Sequence, residues 1–444
     1  MTILKEDDAK AILKKVVGFS KADGCEANLN GTRTGNVRYA RNTVSTSGIV
    51  DDMTLAVQCN YGKKQGTATV NEFDDASLEK VVRRAEELAK LAPESPEFME
   101  ILGPQGAYVD GKAWFDSTAN IDPAYRANAA GTSIEPAKAN KAVAAGFLTD
   151  TAGFQALMNS KGLFAYYAST NANFTVTMRT EDGLGSGWAM RDVDDINRMD
   201  TKEASNVALQ KALGSREAKA IEPGKYTVIL EPAASIDLLA NMLFNMNARQ
   251  ADEGRSFLSK KGGGSRLGEK LVDERVNIYS DPTDADVPVA GWAGDGQRCE
   301  KVNWIENGVV KTLFNPRYWA QKQGTKPVPF PNNVMMKGGT GTTEDLIKDT
   351  KRGILVTRTW YIRSVDPQTV LVTGLTRDGT FFIENGKISF PIKNMRFNES
   401  PIIMLNNLEA MAAPQRIAGE GINEVMVPPM RIRDFTFSSL SDAV

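Results

Sequence analysis

Beyond Gly264 the chain is a succession of strand-length apolar segments separated by Gly, Asn, Asp and Pro, and this constrains its fold more than any other feature. Trp304 to Glu306 turns at Asn307-Gly308 into Val309 to Phe314. Gly353 to Tyr361 and Val370 to Gly374 follow, and Phe381 to Glu384 turns at Asn385-Gly386 into Lys387 to Ile392. Asn-Gly supplies the two left-handed residues of a tight hairpin turn, so each pair predicts antiparallel neighbours. The apolar run Tyr226 to Leu230, after Pro223-Gly224, opens this region. One helix is expected in it, Ser235 to Asn247, with Ser235 or Asp237 near its start and Ile236, Leu239, Leu243 and Met246 on its apolar face.

Upstream the periodicity alternates between helix and strand. Ala9 to Val17 reads as a helix with one apolar face, and Glu26 to Asn30 and Asn36 to Ser45 as short strands separated by Gly31 and Gly35. Met53 to Cys59 and Gln65 to Val70 form a hairpin around Tyr61 to Lys64. Asp74-Asp75 then cap the helix Ala76 to Ala89, whose face of Leu78, Val81, Val82, Ala85 and Leu88 would cover the sheet. Past the prolines and glycines of 93–106, Pro123 to Ala145 has helical propensity interrupted by Gly131 and Pro136. Strands are expected over Val143 to Asp150, Phe154 to Met158, Leu163 to Thr170 and Phe174 to Thr180, then a helix over Thr201 to Leu213. The fold class is α+β: an α/β-layered N-terminal region and a large β-rich, mainly antiparallel C-terminal domain, divided as 1–95, 107–220 and 224–444.

None of the 444 residues is a histidine. That excludes Ser-His-Asp and Cys-His catalysis, the familiar zinc hydrolase sites and any histidine pH switch. Fifty-three basic residues stand against 55 acidic ones, which disfavours a dedicated nucleic-acid surface. Three cysteines, Cys25, Cys59 and Cys299, are too few for a disulfide scaffold and suit a reducing compartment, with Cys299 the most exposed by its neighbours. The charged amphipathic opening lacks an apolar signal core and no window is long enough to span a bilayer, so a cytoplasmic protein without membrane partners is expected.

Candidate sites in the residues themselves are sparse. Gly183 to Gly187 lacks the order of a phosphate loop, and Gly262 to Gly264 reads as a solvated loop. Asp281, Asp284 and Asp286 alternate like calcium ligands without the glycine and closing glutamate of that motif. The final third is more specific. It runs Thr357-Arg358-Thr359-Trp360-Tyr361-Ile362-Arg363, Thr373-Gly374-Leu375-Thr376-Arg377-Asp378-Gly379, Ile383 to Ile388 and Pro391 to Ser400, the last containing Arg396.

These blocks, with Glu26, Arg38-Tyr39, the helix at Ala76 to Ala89 and the Pro223-Gly224 entry, resemble the TldD/PmbA (TldE) family, formerly named modulators of DNA gyrase. The resemblance implies an α/β N-terminal region and a β-rich C-terminal domain. In active members it implies a zinc protease site of His-Glu-x-x-x-His plus a C-terminal cysteine. Here those positions correspond to Ala240 (first ligand), Asn241 (glutamate), Asn245 (second ligand) and Gln415 (cysteine, in the Pro414 to Gly421 loop). None is a zinc ligand, and an amide cannot act as general base. The resemblance thus implies the PmbA/TldE branch: no catalytic residues, no metal and no cofactor in this chain, and a homodimer or a heterodimer with a zinc-bearing TldD-like chain acting on peptides or unfolded polypeptides. Asn247, Arg358, Arg363, Arg377 and Arg396 would line the cleft or interface. Two readings compete: a homodimeric peptide-binding or scaffolding protein, and an autonomous hydrolase using carboxylates and a hard divalent metal.

Overall fold

The computed structural model describes residues 3–419 and 422–441. Six strands, β1 (Gly24–Ala40), β2 (Thr43–Tyr61), β3 (Lys64–Val70), β4 (Ala142–Asn159), β5 (Phe164–Thr180) and β6 (Ser186–Val193), form one antiparallel sheet in the order β3-β2-β1-β4-β5-β6. The helices α1 (Glu6–Phe19), α2 (Asp75–Leu91), a short α3 (Asp116–Ala119), α4 (Pro123–Ala139) and α5 (Thr201–Gly214) belong to the same unit. Because side chains alternate across a strand, Cys25, Ala27, Leu29 and Val37 of β1 share one face. The first three pack under α1 and α2, and Val37 packs under α4 and α5. One sheet face therefore carries the four longer helices, and β1 lies between β2 and β4, joining the first and middle segments in a single sheet.

The expected helices of this region form at nearly the expected places. Asp74 caps α2 by accepting from the Ser77 N–H. Gly131 and Pro136 lie inside α4 instead of ending it. The strands differ from expectation more. Glu26 to Asn30 and Asn36 to Ala40 belong to one continuous β1, because the spaces above Gly31 and Gly35 are filled from elsewhere, and the expected second strand is broken instead at Arg41-Asn42, so that Thr43 to Ser45 already belong to β2. A Cβ on Gly31 would lie 2.4 Å from the Phe154 ring, and one on Gly35 would lie 1.8 Å from the Arg126 guanidinium. These glycines admit close neighbours within the strand; they do not break it.

The C-terminal region holds β7 (Gly224–Leu230), α6 (Pro232–Leu243), α7 (Ala248–Asp252), β8 (Ile278–Ser280), β9 (Val302–Glu306), β10 (Val309–Val310), α8 (Arg317–Gln323), β11 (Val334–Met336) and α9 (Thr343–Lys348). It continues with β12 (Arg352–Asp366), β13 (Leu371–Glu384), β14 (Lys387–Pro391), β15 (Met395–Glu399), α10 (Pro401–Asn406), β16 (Leu408–Met411), β17 (Gln415–Gly419), β18 (Ile422–Val427) and β19 (Met430–Leu440). Strands β12, β7, β19, β15 and β13 follow one another and β12 pairs back with β13, closing a barrel-like ring with β14 and β16 attached. A second sheet runs β10-β9-β8-β11-β18-β17. Among the described residues, these strands pair antiparallel except β7 with β12 and β11 with β18. Both Asn-Gly turns form as expected, with φ 50° and 75° at Asn307 and Gly308, and 49° and 78° at Asn385 and Gly386. The main core lies between these sheets and α6. Among the described residues no helix is long and apolar enough to cross a membrane.

Candidate functional site

Helix α6 starts earlier and ends earlier than Ser235 to Asn247. Pro232 occupies its first turn, where its missing N–H costs nothing, and Leu243 is its last residue. Asn247 instead caps α7, its side chain accepting from the Gln250 N–H at 3.2 Å. The Glu231 carboxylate, beside the α6 N-terminus, is held by Lys211 of α5 at 2.6 and 2.8 Å, a placement the helix dipole favours.

Most of α6 is buried, including Ile236, Leu239, Ala240 and Leu243. Asp237, Asn241 and Asn245 recur every four residues and form its polar stripe. Asp237 accepts from the Thr359 hydroxyl of β12 at 2.9 Å. Asn241 donates its amide N–H to the Asp237 carbonyl at 2.8 Å, and Asn245, in the turn beyond the helix, donates to the Asn241 carbonyl at 2.7 Å. These side chains satisfy the helix's own backbone. Ala240 is 6% exposed and belongs to the main core. Gln415 stands at the start of β17, exposed, on a cavity of about 360 Å³ shared with Trp188, Asp192, Lys211, Pro232 and Arg416 at the first turn of α6. The lining of that cavity does not include Asn241 or Asn245.

A zinc ion of the kind used by metallopeptidases does not fit these residues. One position offers a buried methyl group, two offer amides already turned onto backbone carbonyls, and the fourth offers an amide that opens into a cavity at the other end of the helix. Among the described residues no three His, Cys, Asp or Glu side chains are grouped to hold a metal.

The cavity wall is organised instead by a buried cation. Arg416 Nε donates to Asp192 at 2.8 Å, and its two terminal nitrogens donate to the two oxygens of Asp194 at 2.7 Å each. One of them also reaches the Asp286 carbonyl at 2.6 Å. Asp192 takes further donors from Asn171 and Asn173 of β5. The guanidinium thus fastens β17 of the C-terminal region to β6 of the N-terminal sheet. Burial pushes Asp194 above its ordinary value against the opposing pull of Arg416. It also pushes the Glu424 carboxyl of β18 up to about 7, with repulsion from Asp192 and Asp194 adding to the shift. Nothing in the local sequence marks Arg416; its carboxylates, Asp192 on β6 and Asp194 just past the end of that strand, lie more than two hundred residues earlier.

Of the four arginines expected at a cleft or interface, two converge. Arg358 donates to the buried Asp378 carboxylate at 2.7 Å and lies 4.9 Å above the Trp188 ring. Arg377 lies 3.6 Å from the same carboxylate and 3.9 Å above Trp360. Ser186 of β6 also donates to Asp378, making a second tie between the N-terminal sheet and the barrel. Asp378 and Gly379 adopt φ 55° and 113°, a left-handed kink within β13 that turns the carboxylate inward. Arg363 lies instead over Tyr361 at 4.2 Å, and Arg396 reaches the Thr373 hydroxyl at 3.4 Å, both solvent-exposed. Cys299, expected to be exposed, is buried, and burial pushes its thiol up to about 12. The reason is tertiary: the loop around it folds back through the Cys299 N–H to the Gly291 carbonyl, beneath Asn332.

Three family models cover most of the chain: PmbA/TldA metallopeptidase domain 1 over residues 25–89, its central domain over 119–215 and its C-terminal domain over 223–439. A metalloprotease of Methanothermobacter thermautotrophicus is 24% identical over 60% of this chain and 62% of its own length, and one of Methanocaldococcus jannaschii is 24% identical over 68% and 70%. The chain thus spans less than two thirds of the first of these relatives. The same fold is found in the crystal structure of TldE from Thermococcus kodakarensis, with a TM-score of 0.86 and 17% identity over 97% of this chain and 99% of that one. A Bacteroides thetaiotaomicron protein named as a candidate modulator of DNA gyrase has a TM-score of 0.86 and 20% identity over 98% and 99%. From its three domains in order and from this fold, the chain is a member of the PmbA/TldD metallopeptidase family.

Proposed function

We propose that this chain is the non-catalytic, TldE-like member of a two-chain metalloprotease, whose zinc-bearing TldD-like partner cleaves peptides or unfolded polypeptides in the cytoplasm. One observation carries the reading. At the positions that correspond to the zinc ligands and general base, Ala240 is core, and Asn241 and Asn245 spend their amide donors on the backbone of their own helix. With no histidine in the sequence, no imidazole elsewhere can replace them. What this chain contributes is a wall: the cavity between β6, α6 and β17, held in shape by Arg416, Lys211 and Arg358. The autonomous carboxylate hydrolase gains little support, since the paired acids of that cavity, Asp192 and Asp194, are already engaged by one guanidinium.

The test is co-expression with a homologue from the same cell that carries His-Glu-x-x-x-His, followed by sizing and assay on an unfolded polypeptide. The reading expects a stable mixed complex whose activity disappears when either chain is withheld. A partner fully active alone, with no mixed complex at any salt concentration tried, would sink it.

A further inference from the structure

Cys25 and Cys59 stand directly opposite each other in the pairing of β1 with β2. The Cys25 N–H donates to Ser160 Oγ at 3.0 Å and its carbonyl accepts from the Ser160 N–H at 2.8 Å, so its backbone is turned toward β4 and away from β2. The two cysteines are therefore a non-hydrogen-bonded pair, the kind that brings Cα atoms to about 4.5 Å and sets side chains closest. A disulfide spans Cα separations of about 4.4–6.8 Å, so the backbone can take the bond where it stands. Both side chains lie on the helix-covered face of the sheet, fully buried in the apolar cluster beneath α1 and α2. Packing alone accounts for a single buried cysteine, which behaves as a small apolar side chain. It does not account for the polar groups gathered at this pair. Ser20, half-buried at the end of α1, donates from Oγ to Glu86 Oε1 at 3.4 Å, and the same Oγ lies 3.8 Å from Cys59 Sγ. Glu86, buried on α2, also accepts from the Lys21 N–H at 2.6 Å and from Arg83 at 2.9 Å. The two thiols hydrogen-bond each other, which lowers Cys59 below its ordinary value and, together with burial, raises Cys25 above it. Cys59 is thus the readier nucleophile, with Cys25 waiting beside it. Because the partly exposed Ser20 touches Cys59, that sulfur lies close beneath the surface.

We propose that Cys25 and Cys59 form a redox site that hydrogen peroxide converts to an intrachain disulfide and a thiol reductant reopens. In the first step the Cys59 sulfur attacks a peroxide oxygen, the O–O bond breaks, and the departing hydroxide takes the thiol proton, leaving a sulfenic acid and one water. In the second the Cys25 sulfur attacks the Cys59 sulfur, the S–O bond breaks, and the hydroxide leaves with the Cys25 proton as a second water. Each sulfur gives up one electron and the peroxide takes both. The new bond staples β1 to β2 beneath α1 and α2. The site lies in the N-terminal sheet and rests neither on zinc nor on a partner chain.

The experiment uses the purified full-length chain, reduced, desalted and exposed to a modest excess of hydrogen peroxide with a chelator present. Catalase stops the reaction, and the chain is alkylated with iodoacetamide in guanidinium and mapped by mass. The expected result is one alkylated cysteine, Cys299, in place of three, with the Cys25 and Cys59 peptides joined and then separated again by dithiothreitol. Cys299, buried against the Asn332 amide, is the internal control. The far-UV circular dichroism spectrum should not change, since the bond forms within the folded sheet. In Cys25→Ser the hydroxyl keeps a donor beside Cys59, and Cys59 should stop at the sulfenic acid, trapped by dimedone. The wild-type map decides even if that variant does not fold. Three cysteines still open to alkylation after treatment would overturn the proposal. So would a disulfide that forms only in chains unfolded by urea, one that involves Cys299 or joins two chains, or a folded Cys25→Ser whose Cys59 dimedone fails to label.

Discussion

Replacing Arg416 by Met removes the one cation of a buried cluster and leaves its carboxylates in place. The side chains of Arg416, Asp192 and Asp194 are 10%, 3% and 9% exposed, so the carboxylates stay largely out of bulk water when the guanidinium is lost. Breaking a buried ion pair from one side costs about 3–5 kcal/mol, because the remaining charge stays buried and uncompensated. Here two carboxylates lose a partner. Asn171 and Asn173 still serve Asp192, whereas Asp194 loses both of its guanidinium donors, which sets the expectation near the upper end of that range. Neutralising the acids as well should recover most of the loss, since burying neutral groups avoids the desolvation penalty of a bare charge. The assay is urea unfolding followed by far-UV circular dichroism on wild type, Arg416→Met, and the triple variant Arg416→Met, Asp192→Asn, Asp194→Asn. The argument expects the single variant to be clearly the least stable of the three. It is refuted if the single variant loses less than about 1 kcal/mol, the range of an exposed pair, or if the triple variant is no better than the single one.

Three further outcomes follow from particular groups. Glu424 keeps its proton in the folded chain up to about 7 against an ordinary 4.5, so folded molecules bind more protons than unfolded ones between those values. Stability should therefore fall as pH rises through that window, by about 3 kcal/mol at 1.36 kcal/mol per pKa unit, and level off above it. Glu424→Gln should remove that part of the slope in urea titrations from pH 5 to 8, leaving the part due to Glu26, which burial also pushes up to about 7; an unchanged slope would contradict the assignment. Gly35→Ala places a methyl group where the Arg126 guanidinium grips Asp150 at 2.6 and 2.7 Å, and should cost about 3 kcal/mol by displacing that buried pair. A wild-type unfolding midpoint would show that the arginine has another place to go. Asn241→Ala should lose about 1 kcal/mol, the worth of one backbone-directed hydrogen bond, and leave zinc binding by the isolated chain unchanged.

Features that depend on short stretches of chain were legible in the sequence. Helix α2 carries its apolar residues at helical spacing and its own capping aspartate, and the two Asn-Gly turns hold the left-handed residues that close a hairpin. Features made by distant neighbours were not. Gly31 and Gly35 read as breaks because nothing nearby reveals that Phe154 and Arg126 occupy the space above them. The limits of α6 shifted because Pro232 could start it and Asn247 was needed as the cap of α7. Among the site residues, Ala240, Asn241, Asn245 and Gln415 could be named only through the family resemblance. Arg358 and Arg377 stood out within their blocks, yet their meeting at Asp378 depends on the pairing of β12 with β13. Arg416 carries no mark in the sequence, since a lone arginine beside a loop is ordinary until Asp192 of β6 and Asp194 just beyond that strand reach it.

The central claim is that this chain carries no catalytic zinc and completes a protease made by another chain. Metal analysis of the isolated chain and of the mixed complex, each after dialysis against a weak chelator, tests it most directly. The account predicts less than about a tenth of an equivalent of zinc on the isolated chain, which has no imidazole and no soft donor at the corresponding positions, and one zinc per mixed complex, lost when the partner's histidines are replaced. One tightly held zinc per isolated chain, with peptide cleavage that depends on it, would contradict it.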